Sequence, residues 1–76
     1  MLSPAQVLDS YFPEVRAWLI QIAAVMDRYD RAAEQGRPAV DDARLRRFAA
    51  SLEVLANSTT ADRAQRIQRI FSDPID

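Results

Sequence analysis

The sequence contains no cysteine and no histidine. Their absence excludes disulfide bonds, metal sites built on thiolate or imidazole, and nucleophiles that depend on a cysteine or on a histidine base. We therefore expect no cofactor. With 76 residues the chain suffices for a single small helical domain over 1–76, and such a domain needs tight helix packing or self-association for its stability.

Lysine is also absent: all ten basic residues are arginine, and eleven acidic residues bring the net charge to −1. Nucleic-acid-binding domains are usually clearly basic, so this balance argues against a general nucleic-acid binder. Long hydrophobic runs are missing as well, since the stretch 18–26 is interrupted by Gln21 and is far shorter than the ~20 residues of a membrane span. Because no signal-peptide pattern is present either, we expect a cytoplasmic protein that does not enter the membrane.

Glycine occurs only once and no stretch alternates β-branched with polar residues, a composition that favours helices throughout. Ser3 and Gln6 can form a capping box at the start of the first helix. Pro13 predicts that this helix is short, because a proline inside a helix clashes with the preceding turn. Gly36 is the expected C-terminal cap of the second helix and Asp41 the expected N-terminal cap of the third. The predicted helices span about 4–11, 13–35, 42–56 and 60–72, followed by a flexible tail at 73–76.

The apolar residues of the long helix recur in steps of four and three, which places them on one side of an α-helix. We call this set the apolar stripe: Tyr11, Val15, Trp18, Ile22, Val25, Tyr29 and Ala32. The two later helices repeat the pattern with Leu45, Phe48, Leu52 and Leu55, and with Ala64, Ile67, Ile70 and Phe71. Three amphipathic helices joined by short loops predict an all-α, up-and-down bundle. The long helix exceeds the other two by roughly 15 Å, so the N-terminal helix or a second copy of the chain has to cover the remainder.

Three acidic residues, Asp27, Asp30 and Glu34, follow one another at helical spacing. Carboxylates gathered inside a helical bundle can hold divalent metals, so a carboxylate metal-binding enzyme is one alternative function. Such sites draw their acids from several facing helices, whereas this trio belongs to one helix and points away from the apolar stripe. Asp27 also has Arg31 four residues later, a pairing typical of a solvated helix surface. We therefore predict no metal site and no catalytic site.

The last predicted helix carries four polar side chains that suit DNA bases: Gln65, Arg66, Gln68 and Arg69. Arginine and glutamine make bidentate contacts with guanine and adenine edges, so a helix-turn-helix-like DNA-binding regulator that uses the 60–72 helix is another alternative. Asp62 lies on the same side of this helix and the preceding turn contains no glycine. Both features favour an ordinary bundle hairpin.

The function that the sequence favours is a non-enzymatic helical interaction module. Tyrosine and tryptophan combine a large contact area with a polar tip, which makes them frequent at protein interfaces. We expect the chain to associate with itself as a homodimer, or with a larger protein, through the apolar side of its long helix. The expected contact residues are Tyr11, Trp18, Ile22, Val25 and Tyr29.

Overall fold

A computed structural model describes residues 1–36 and 42–72. These residues form three α-helices and no strand: α1 (Pro4–Gln35), α2 (Ala43–Asn57) and α3 (Arg63–Ser72). The chain divides into two units, Met1–Pro38 with α1 and Ala39–Asp76 with α2 and α3. The all-helical class and the hairpin of two short helices are confirmed. A single domain over 1–76 stays a prediction, and the tail at 73–76 lies outside the described residues.

The first helix begins with the predicted capping box. The Ser3 hydroxyl accepts a hydrogen bond from the Gln6 amide at 3.2 Å, and the Gln6 side-chain oxygen accepts one from the Ser3 amide at 2.8 Å. Pro4 occupies the first turn, where its missing N–H has no helical partner to lose. Two of the otherwise unpaired amides at this end are thereby satisfied.

The predicted break between two helices at Pro13 is wrong, because α1 continues through Pro13 as one helix of 32 residues. A proline at this position leaves the carbonyl of Asp9 without its helical donor. At about 100° per residue, Asp9 and Pro13 lie on the side of α1 opposite Ile22 and the rest of the apolar stripe. Both residues are exposed. Water can therefore solvate the Asp9 carbonyl, and the helix tolerates the proline there.

Gly36 does form the C-terminal cap of α1, but its backbone is extended, with φ −147° and ψ −156°. Glycine caps more often adopt a left-handed conformation that other residues avoid. A Cβ atom at this position would lie 3.5 Å from the Ala32 carbonyl oxygen, an ordinary contact. The end of α1 therefore does not depend on glycine.

The N-terminal cap of α2 is Asp42, whose carboxylate accepts a hydrogen bond from the Arg44 amide at 2.8 Å. Asp41, which was predicted to cap this helix, lies outside the described residues. The start of α3 also differs from the prediction, since the helix begins at Arg63 rather than near residue 60. Thr60 donates from its amide to the Ser58 hydroxyl and from its own hydroxyl to Asp62. These local bonds hold the backbone of the turn out of the helical conformation.

The two short helices form an antiparallel hairpin. At its open end the rings of Phe48 and Phe71 lie 6.2 Å apart, and the Arg47 guanidinium donates to the Phe71 carbonyl at 3.2 Å. At the turn, Arg63 donates to the Ser58 carbonyl at 2.7 Å. The start of α2 thus lies beside the end of α3. Side-chain contacts therefore hold the hairpin together at its open end and at its turn.

Within the hairpin, Ser51 of α2 is the one residue that is buried among those described. Its hydroxyl donates to the Arg47 carbonyl one turn earlier at 2.8 Å. Among the residues expected to form the apolar core of the hairpin, Phe48 and Leu55 are exposed, at 49% and 47%. Ala64 and Phe71 are exposed as well, and the remaining four residues of this set are half-buried. The most protected position of the hairpin is thus a small serine, while Phe48 and Leu55 on the predicted apolar face of α2 keep about half of their surface accessible.

Candidate interaction surface

The apolar stripe is accessible along α1, and no described residue of this helix is buried. Trp18 is 54% exposed, Val25 56%, Tyr11 50% and Ile22 40%. Tyr29, the fifth expected contact residue, is half-buried. Because steps of three and four residues return to the same side of a helix, these five side chains form one continuous row.

A second apolar row runs beside the stripe, and we call it the flanking row: Phe12, Leu19, Met26 and Ala33. Each of its members follows a stripe residue directly, and Phe12 is 65% exposed. A shallow groove on the N-terminal half of α1, from Val7 to Ile20, includes Phe12 and Leu19, with Arg16 and Ile20 at its outer margin. The two rows together make an apolar side about 140° wide.

The predicted surface did not cover the N-terminal part of α1. Because Pro13 was expected to end a first helix at about 4–11, Val7 and Leu8 were predicted to lie on that separate helix. Since α1 is continuous, these residues share one axis with Trp18 and Ile22. The signal that could have revealed this was the position of Pro13, which is opposite the apolar residues on the helical wheel.

The acidic trio lies on the surface of α1, where Asp27, Asp30 and Glu34 are all exposed. Within residues 1–36 and 42–72, no three acidic side chains come close enough together to hold a metal ion. The chemistry of the trio is that of three separate, solvated carboxylates.

The four DNA-contact candidates are exposed on α3, but Arg66 already serves the hairpin turn. Its guanidinium donates to the Ser58 hydroxyl at 3.0 Å. A hydrogen bond from Thr60 lowers the pKa of Asp62, and the charges of Arg66 and Arg69 lower it further. Two of the four candidates therefore stabilise an acidic residue directly before α3, which reduces the positive potential available to a phosphate backbone.

No described helix is long and apolar enough to cross a lipid bilayer. No protein-family model, curated protein or solved structure matches the chain. The interpretation of α1 consequently rests on the geometry of its own side chains.

Proposed function

We propose that this protein is a non-enzymatic helical interaction module that pairs through the apolar side of α1 with a second copy of itself or with a larger protein. The observation that carries the proposal is the exposure of the large apolar residues of α1. Ten of them lie on the apolar side and are at least 40% exposed. They are Val7, Leu8, Tyr11, Phe12, Val15, Trp18, Leu19, Ile22, Val25 and Met26.

The size of this apolar surface supports the proposal. At roughly 80–100 Å² for each half-exposed large side chain, these residues together present about 900 Å². The largest apolar patch of a typical monomeric protein is about 300–600 Å². Burial of such a surface against another helix is the usual way in which the cost of exposing it is avoided.

The stability of α1 points the same way. Isolated helices are marginal in water, and most helices in proteins are stabilised by packing of an amphipathic face. A helix of 32 residues without a buried side chain lacks that contribution. We also propose a cytoplasmic location, which suits a chain without cysteine because it needs no oxidising compartment to fold.

The test compares two isoleucines of α1 that are two residues apart. Ile22 lies in the apolar stripe, whereas Ile20 points about 160° away from it, and both are substantially exposed, at 40% and 52%. We expect Ile22→Gln to weaken association at least about tenfold, since the stripe loses buried apolar area. Ile20→Gln is the matched control and should leave association unchanged.

Sedimentation velocity over a wide concentration range measures self-association of the full chain and of both variants. Affinity capture from a cell lysate with the same three proteins measures docking on another protein. A chain that stays monomeric and captures no protein in an Ile22-dependent manner would contradict the proposal.

A further inference from the structure

The length of α1 restricts which helix can cover its apolar side. α1 has 32 residues, α2 has 15 and α3 has 10, which correspond to about 48, 22 and 15 Å. Neither shorter helix is half as long as α1. Among the described helices, only α1 of a second copy matches the full length of the apolar side.

The residues of α1 follow a seven-residue repeat with two different edges. The central positions of the repeat hold Leu8 and the apolar stripe, as expected for a helix that packs against another. On one edge, Ala5 precedes the flanking row, so that edge is apolar throughout. The other edge is mainly polar and holds Val7, Glu14, Gln21, Arg28 and Gln35. Glu14 and Arg28, both exposed, lie on this edge at equal distances on either side of Gln21.

This arrangement is self-complementary when two copies of α1 run in opposite directions. In an antiparallel pair, like edges meet each other, so the polar edge faces the polar edge of the other copy. Centring the pair near residue 20 brings Glu14 of each copy to Arg28 of the other. The same alignment pairs the apolar residues as follows: Trp18 with Ile22, Val15 with Val25, Tyr11 with Tyr29, Leu8 with Ala32, Phe12 with Met26, and Leu19 with Leu19.

The alternative alignments lose this match. In a parallel pair the polar edge of one helix faces the apolar edge of the other, so Glu14 would face Leu19 and Arg28 would face Ala33. Shifting the antiparallel pair by seven residues separates Glu14 from Arg28 and leaves one turn or more of each helix uncovered. The alignment centred near residue 20 also brings the two ends of the helices level, because α1 extends from Pro4 to Gln35.

We propose that two copies of this chain pair through α1 in antiparallel orientation along the whole helix, with the two-fold axis near residue 20. This inference rests on the proposed function and names the partner as a second copy. The apolar sides of two helices would bury roughly 1,600 Å² in total, which is the area of a standard stable interface. The ion pairs select the direction and the register, and the apolar residues supply the attraction.

The direction of the pair can be measured with spin labels, because the full chain has no cysteine of its own. Ser10→Cys and Gln21→Cys each introduce one exposed labelling site in α1. For an antiparallel pair centred near residue 20, we expect a distance of roughly 30 Å or more between the labels at residue 10 and a distance below about 20 Å between those at residue 21. Short distances at both sites would indicate a parallel pair and overturn the inference.

The register can be measured by charge reversal. Glu14→Arg and Arg28→Glu each replace two attractive contacts with two repulsive ones, so each variant alone should dissociate roughly tenfold more readily than the original chain. Mixing the two variants restores opposite charges at both contacts and should give mixed dimers of about the original affinity. Arg31→Glu, on the outer side of α1, is the control and should have no such effect.

The outcomes separate this inference from the proposed function. A dimer with parallel label distances, or a dimer that is indifferent to Glu14 and Arg28, overturns the antiparallel pairing and leaves the proposed function in place. A monomeric chain that captures another protein through Ile22 also overturns the antiparallel pairing and leaves the proposed function in place. A monomeric chain in which Ile22→Gln changes nothing overturns both.

Discussion

Replacement of Pro13 by alanine is expected to stabilise α1. Pro13 is exposed in the interior of the helix, and an interior proline costs about 3 kcal/mol relative to alanine. Alanine would supply the amide that the Asp9 carbonyl lacks. The loss of proline also makes the unfolded chain more flexible, which offsets about 1 kcal/mol of that gain. We therefore expect the free energy of unfolding to rise by roughly 2 kcal/mol.

The assay is thermal and urea unfolding followed by far-ultraviolet circular dichroism. For a chain of this size, a gain of roughly 2 kcal/mol corresponds to a rise in Tm of about 8–16 °C. The protein concentration has to be the same in all samples, because association also contributes to the apparent stability. Pro4→Ala is the control, since a proline in the first turn removes no helical hydrogen bond.

An unchanged or lower Tm for Pro13→Ala would refute this reasoning. Solvation of the Asp9 carbonyl would then be an insufficient explanation for the proline in the helix. The ring of Pro13 or the local backbone geometry would have to contribute to the stability of the native state. A rise of equal size for Pro4→Ala would likewise show that the effect does not depend on the interior position.

Two further predictions concern the hairpin. The hydrogen bond from Arg44 lowers the pKa of Asp42 from 3.8 to about 2. The charged carboxylate of Asp42 therefore stabilises the folded state above pH 4, and this contribution is lost as the pH falls from about 4 to 2. Asp42→Asn keeps an acceptor for the Arg44 amide and should flatten the decrease of Tm at acid pH. Identical curves of Tm against pH for the variant and the original chain would contradict this prediction. Ser51→Leu should destabilise the hairpin by about 1–3 kcal/mol in urea unfolding through overcrowding, whereas Ser51→Ala should be nearly neutral, and equal effects of the two would argue against a tight contact there.

Local features of the fold could be predicted because they depend on residues a few positions apart. The capping box of Ser3 and Gln6 joins residues three apart, and the apolar stripe follows from the helical repeat alone. The continuity of α1 through Pro13 was also a local matter. It was predicted wrongly because the proline was considered without its position on the helical wheel.

Contacts across the hairpin depended on tertiary structure. The Arg47–Phe71 hydrogen bond joins residues 24 positions apart, and the engagement of Arg66 by Ser58 depends on how the turn closes. Periodicity identifies an apolar face on each helix, but it does not say which side of α2 the turn presents to α3. In the structure Ser51 of α2 is buried, whereas Phe48 and Leu55 are exposed.

The sequence by itself determined that this protein is helical, where its first helix is capped, and which side of α1 is apolar. Hydrogen bonds to the third or fourth neighbour and a repeat of 3.6 residues are sufficient for these features. Only the tertiary structure decided which apolar residues are buried in the hairpin and which stay accessible, because burial depends on the approach of chain segments that are distant in sequence.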